Sequence, residues 1–262
     1  MVLVLLPGAT FRMGARVPTA RDGPDTPNAD PHADTGEGPP HEVTLAPFLI
    51  SKYEMTQGQW QQFSGTNPSF YGPHSAFGDK VHDLSHPVEQ VSWHDCHETL
   101  HCLGLTLPTE AQWEYASRGG TTTVWWTGDD KRAIRDAANL ADSFAKANRG
   151  ERSFVYDLDF DDGYTMHAPV GTYRANPYGL HDTMGNVWEW CLDWYGGYHY
   201  KVTAGAGERL IPDNFGKAKA CRGGGFLLDA SFLRSAYREL QAANVRGSFI
   251  GVRPALNLAK GE

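Results

Sequence analysis

The chain has 262 residues, is 40% hydrophobic and 21% charged, and carries a formal charge of −8, the make-up of an ordinary folded domain in water. Its 29 Gly, 16 Pro and 8 Trp point to a loop-rich fold pinned by large aromatics rather than to a helix bundle. The acidic balance and the lack of any Lys/Arg run exclude nucleic acid as an expected partner, whereas clustered Asp residues suit metal cations.

The opening M-V-L-V-L-L-P-G has no basic n-region and too short an apolar run for a signal core, so it reads as a strand. A turn at Pro7-Gly8 and a second strand complete residues 2–14. No stretch reaches membrane-spanning length, which makes a cytoplasmic setting the default expectation. Residues 15–40 hold six prolines and almost nothing to bury, and are expected to be a solvated, mobile loop. H-E-V-T-L-A-P-F-L-I (41–50) predicts a strand. Three helices are announced by capping boxes, in which a hydroxyl and a side chain three residues on satisfy the first free amides: Thr56…Gln59, Ser92…Asp95 and Thr109…Gln112. A fourth helix is predicted over about 130–138. Turn signals dominate from 139 to 220, and short strands return from 220 to 256. No repeat or linker divides the chain, so residues 1–262 are read as one domain, expected to be a monomer. Cys96, Cys102, Cys191 and Cys221 have no spacing that argues for a particular pairing.

Residues 97–101 spell H-E-T-L-H, a literal match to the H-E-x-x-H zinc signature, with Glu98 placed as a base. Trp93, Cys96, Leu100 and Leu103 fall on one face of that helix and form its expected buried stripe. His97 and His101 then lie at the solvent edge, and no third ligand stands at a diagnostic spacing, Glu110 and Glu114 being the nearest candidates. Surface histidines are the stronger reading, and a zinc hydrolase the weaker.

In G-L-H-D-T-M-G-N-V-W-E-W-C-L-D-W-Y-G-G-Y (179–198), Asp182, Asn186, Glu189 and Asp193 alternate with Trp188, Trp190, Trp194 and Tyr195. Carboxylates buried beside aromatics need partners or a metal. Upstream, D-L-D-F-D-D-G-Y (157–164) is not an EF-hand loop, because Gly163 sits at the wrong step and Ala168 stands where the bidentate Glu belongs.

Five segments occur in order: L-P-T-E-A-Q-W-E-Y-A-S-R-G-G (107–120), Y-G-L-H-D-T-M-G-N-V-W-E-W (178–190), R-G-G-G-F (222–226), R-S-A-Y-R (234–238) and I-G-V-R-P-A (250–255). Together with M-V-L-V-L-L-P-G-A-T-F-R-M-G and I-S-K-Y-E-M-T-Q-G-Q-W they make the chain resemble the formylglycine-generating enzyme (sulfatase-modifying factor) family over nearly its whole length. The resemblance implies an α+β, C-type-lectin-like fold with little regular structure, short strands, a few helices and termini brought together. It implies two structural Ca2+ sites. One uses the side chains of Asn139 and Asp162 with the carbonyls of Leu140 and Tyr164; the other uses Asp182 and Glu189 with the carbonyls of Gly185 and Val187. All-oxygen donor sets suit calcium.

The family's oxidases carry two thiols five residues apart after a Gly-Gly-Ser segment. Aligning R-G-G-G-F with that segment puts Leu228 and Leu233 at those positions, Gly225 in place of the serine, and G-V-R in place of the terminal G-F-R. Leucine has no redox chemistry and no affinity for copper. The chain also resembles the lectin-fold variable proteins of diversity-generating retroelements, whose hypervariable region corresponds to residues 221–253. The expectation is therefore a non-catalytic module for an unidentified protein or small-molecule ligand. Phe226, Leu228, Asp229, Phe232, Leu233, Tyr237, Asn244 and Phe249 are expected to face outward as an apolar patch around one carboxylate, with Trp188 in the floor. A divergent oxidoreductase is the alternative.

Overall fold

The structure, a computed structural model, describes residues 1–23, 26–75, 81–212 and 218–258. Strands β1 (Leu3–Leu6) and β2 (Ala9–Met13) follow one another without pairing together. β2 pairs antiparallel with β3 (His41–Leu45), and β1 with β4 (Phe48–Ser51). The predicted strand 41–50 is thus split at Ala46-Pro47, where proline cannot donate to a ladder. Both chains change sheets at one corner: a Cβ on Gly8 would stand 2.7 Å from the Leu45 carbonyl oxygen and 2.8 Å from Pro47 Cδ. The last strand, β9 (Ala255–Asn257), pairs with β4, so the first and last segments share one sheet.

Helices α1 (Gln57–Ser64), α2 (Trp93–Cys102) and α3 (Glu110–Arg118) each start at the predicted residue, with all three capping boxes closed in both directions. The helix expected over 130–138 is a single 3-10 turn, Lys131–Ile134, ended as Asp136 enters the left-handed region at φ 65°. A short α4 (Ser143–Ala147) follows, its first turn held by the Asp142 side chain. Within the region read as turns lies β5 (Trp188–Trp194), the parallel neighbour of β8 (Ile250–Gly251) and antiparallel neighbour of β6 (Lys219–Arg222), which pairs with β7 (Glu239–Gln241). Alternation hides β5 because Trp188 to Cys191 are all buried, on both faces. No helix of the described residues is long and apolar enough to cross a membrane.

Every residue of α3 is buried, including Glu110, Gln112, Glu114 and Arg118. Such burial is tolerable only if each polar group is matched. Arg238 forks onto Glu110 with two bonds of 2.6 Å, Arg222 donates to Glu114 and pairs with Glu110 at 3.1 Å, and Arg118 donates to Glu114 at 2.9 Å. Gln112 donates to Asn257 on β9 at 2.6 Å, and Trp113 donates to Glu189 on β5 at 2.6 Å. One helix therefore holds both larger sheets.

The described residues of the 15–40 segment are not the solvated loop that composition suggests. Asp30 and Glu37 are buried and face Arg234, which forks onto Glu37 at 2.6 and 2.7 Å. Buried Asn28 donates to the carbonyls of Arg12 and Gly14. Ion pairs and backbone bonds anchor what hydrophobic contacts do not, and hydropathy is blind to them. Arg234→Met should leave two buried carboxylates unpaired and cost about 3–5 kcal/mol. Urea denaturation of the variant measures that loss.

Candidate functional site

β6 ends at Arg222, and Gly223 and Gly224 then run at φ 100° and 75°. A Cβ on Gly224 would stand 2.9 Å from Leu233 Cδ1, so glycine is required to let the chain fold back over that leucine. The following 3-10 turn, Ala230–Phe232, is capped by Asp229, whose Oδ1 accepts from the Ser231 amide at 2.8 Å. The backbone is fixed from outside as well: Val155 N donates to the Leu227 carbonyl and Ala141 N to that of Leu228.

On this rigid turn the nine predicted ligand residues divide. Phe226 and Leu233, each 1% exposed, and Trp188, 4% exposed, are core residues and cannot meet a ligand directly. Phe226 packs edge-on against Tyr71 and Phe154, both at 5.7 Å, and Leu233 lies in the cluster of Trp125 and Met184. Leu228, Asp229, Phe232, Tyr237 and Phe249 are half-buried, and Asn244 is exposed. Phe232 meets Tyr237 edge to face at 5.2 Å, and Tyr237 leans on Trp188 at 6.0 Å. The expected patch is thus a strip backed by core, narrower than the sequence reading made it.

Beside the strip, Asp229 and Ser231 form one edge of a cleft of about 580 Å3. Its other walls include Pro18, Asp22, Thr26 and His32, together with Trp125, Asp129, Lys131 and Asp157. Lys131 is already committed to Asp157 at 3.0 Å and Asp159 at 2.9 Å, and Asp22 to Arg16. Asp129 and Asp229 leave the lining net acidic. Sequence reasoning missed this cleft because one wall is the segment judged mobile; only the buried Asp30 and Glu37 opposite R-S-A-Y-R would have revealed it.

The two predicted calcium sets lie against one another. Gly185, at φ 79°, approaches Asn139 so closely that a Cβ would stand 1.8 Å from the Asn139 carbonyl oxygen, and Asn186 N donates to that oxygen at 3.1 Å. In the first set, Asp162 accepts from Leu140 N, Tyr164 N and Asn139 Nδ2, while the buried Asn139 Oδ1 has no hydrogen-bond partner. Burial, then neighbouring Asp142, pushes Asp162 up to about 8. In the second set, Asp182 accepts from Gly171 N through Oδ2, and its buried Oδ1 has no partner. Burial pushes it up to about 7. Glu189 is less available: Arg253 forks onto it at 2.7 and 2.9 Å and Trp113 donates to it. Buried Glu54, which sequence reasoning missed, accepts from Asn186 Nδ2 and Val187 N, and burial pushes it well above the carboxylate range. Three carboxylates face one guanidinium, an excess of two negative charges if all ionise. Unpartnered amide and carboxylate oxygens in that field fit a hard cation.

The zinc motif does not assemble. His97, Glu98 and His101 are exposed, His97 stacks on Trp93, and the two imidazoles lie parallel with centroids 6.5 Å apart. Glu110 and Glu114 are consumed by arginines. Trp93 and Leu103, expected in the buried stripe with Cys96 and Leu100, are only half-buried. Cys96, Cys191 and Cys221 are buried free thiols, pushed well up by burial and so not poised as thiolates; Cys102 is exposed.

Comparison with known proteins agrees with this architecture. Residues 2–258 match the model of the sulfatase-modifying factor enzyme 1-like domain. A formylglycine-generating enzyme of Thermomonospora curvata is 31% identical over 88% of this chain and 84% of its own. An inactive C-alpha-formylglycine-generating enzyme 2 of Bos taurus is 28% identical, covering 74% of this chain and 71% of its own. Among solved structures, PvdO from Pseudomonas aeruginosa superposes with a TM-score of 0.74 at 25% identity, covering 98% of this chain and 94% of that one. Treponema denticola variable protein 1 superposes at 0.69 and 23% identity, over 97% and 94%. The mixed sheets and short helices are those of the C-type-lectin-like fold.

The raised carboxylates have a measurable consequence. Between pH 3 and 6.5 their effect is opposed by His86 and His167, which burial holds down at about 3 and which gain stability as pH rises. Above pH 6.5 the unfolded chain sheds the rest of its histidine protons and that opposition fades, whereas the fold still keeps protons on Asp162, Asp182 and Asp193 that the unfolded chain has lost. In EGTA, stability should therefore fall from pH 6.5 to 8, and Asp162→Asn should flatten that slope in urea melts.

Proposed function

The chain belongs to the family of sulfatase-modifying factor enzyme 1-like domains, and on that premise we propose that it is a binding module working through its C-terminal strip and the adjoining cleft. The observation that carries this reading is the state of the two positions the resemblance assigns to thiols. Leu228 is half-buried and Leu233 is sealed beneath Gly224. Neither can bind copper or pass electrons, while the same turn holds Asp229 at the edge of a cleft large enough for a small molecule or a peptide side chain, with Phe232 and Tyr237 in the strip beside it. The lining favours a ligand with an apolar body and a cationic group, held by Asp229 and stacked on the aromatic strip. The cattle relative bears the word inactive in its name, so loss of chemistry has a counterpart in the family.

Should retroelement diversification act on residues 221–253, the positions open to it are the half-buried and exposed ones. Phe226, Leu233, Arg234 and Arg238 are committed to the framework. A near-copy of the gene's 3′ end beside the locus would support that origin, and an intact locus without one would reject it.

Calcium is proposed as the structural cation of the two adjacent oxygen sets. It would neutralise the excess charge around Asp182, Glu54 and Glu189 and tie residues 139–140, 162–164 and 182–189, which have little regular structure of their own. Removing calcium with EGTA should lower the melting temperature at pH 7.5, and adding it back should restore the loss; an unchanged melt would contradict the assignment.

The ligand is tested with paired aromatic amines and aromatic carboxylates in titration calorimetry. Amines should bind, and Asp229→Asn, which keeps an oxygen for the Ser231 amide, should weaken them about tenfold, or 1.4 kcal/mol, without shifting the melt. Oxygen uptake with conversion of a cysteinyl peptide to an aldehyde in the presence of copper would overturn the binding reading.

A further inference from the structure

The histidines that do gather are not those of the zinc motif. His82, His86 and His167 are 4%, 3% and 1% exposed, and one ring nitrogen of each lies within 4.8 Å of the others. His86 Nδ1 and His167 Nδ1 stand 2.9 Å apart, so one carries a proton held on the other's lone pair. On the far side of His167, its Nε2 makes no hydrogen bond and faces Glu89 Oε1 at 3.9 Å. Glu89 is fully buried; Oε1 accepts from Tyr71 N at 2.7 Å, while Oε2 has no hydrogen-bond partner. Tyr71 and Phe226 close the group with rings at 5.6 and 5.8 Å from His167.

Three buried imidazoles in mutual reach, beside a carboxylate with an unmatched oxygen, form an unusual purely structural cluster, since each buried nitrogen or oxygen left unmatched costs about 1–3 kcal/mol. We propose that His82, His86 and His167 bind one borderline divalent transition metal of the zinc type, with Glu89 outside the ligand set, facing the far nitrogen of His167. The chemistry fits. Three imidazole nitrogens suit Zn2+ and its neighbours, whereas the all-oxygen sets around Asp162 and Asp182 suit calcium. A tetrahedral ion with bonds of about 2.0–2.1 Å needs donors about 3.3 Å apart, within what imidazole rotation can supply from the present spread. Of the facing Nδ1 atoms one already offers a lone pair, and binding through the other would move its proton to Nε2 of the same ring, so both imidazoles coordinate in the neutral form. The ion would clamp residues 82–86 to residue 167 directly beneath Phe226, the floor of the C-terminal strip.

The test uses the full chain, stripped of transition metals and kept in excess calcium so that the oxygen sets stay satisfied. Titration with Co2+ should give visible d–d absorption of tetrahedral intensity saturating at one equivalent, and Zn2+ should bleach it. His86→Gln and Glu89→Gln provide independent variants, each checked for fold by near-UV circular dichroism. His86→Gln should weaken binding by more than the about 10–100-fold that losing an outer hydrogen-bond partner costs. The double variant His97→Ala/His101→Ala should keep the signal. Absence of a saturating Co2+ spectrum in the folded wild type, or its loss in the His97/His101 variant and survival in His86→Gln, would overturn the proposal. Neither result bears on ligand binding at the cleft, which is read by calorimetry.

Discussion

The fold rests on arginines buried against carboxylates. Arg222, Arg234, Arg238 and Arg253 all come from the last 41 residues and reach inward to acids on three parts of the chain: Arg222 and Arg238 to α3, Arg234 to the acids at 30 and 37, and Arg253 to β5. Buried ion pairs of this kind contribute little net stability, because desolvating both partners offsets most of the attraction. Their effect is on specificity. A guanidinium with its fixed fork tolerates one geometry, and an alternative packing would strand charges in the interior. Three small sheets and short helices that could pack loosely are thereby held in one arrangement.

This explains what was legible in the sequence and what was not. The capping boxes of α1, α2 and α3 were readable because their physics is local: a hydroxyl, an amide and three residues between them. The fold class was readable from ordered motifs spread over the chain. The 15–40 segment was misjudged because its order depends on Arg234, some 200 residues away, and composition has no access to that distance. β5 was hidden for the opposite reason: buried on both faces, it shows no alternation. The same limit governs the histidines. H-D-L-S-H at 82–86 has the spacing of H-E-T-L-H at 97–101, yet among the described residues only the former meets a third imidazole, because His167 arrives through the tertiary fold.

The candidate site follows from the same principle. At the two positions that the resemblance assigns to thiols the chain has hydrocarbon, and the turn between them presents the Asp229 carboxylate at the edge of a cleft. Core burial of Phe226, Leu233 and Trp188 narrows the outward face but stiffens it. Beneath it lie the crowded oxygens of Asn139, Glu54, Asp162 and Asp182, whose pairing preferences differ from those of the imidazole group nearby.

The Arg234–Tyr237–Arg238 stretch has one further consequence. Outward side chains and inward anchors are interleaved within a few residues, so the groups that would meet a partner ride on backbone that is already immobilised before any encounter. Association then pays little conformational entropy for loop ordering. Exchanging one outward side chain for another would leave the inward anchors in place, a separation that frees such a surface to vary.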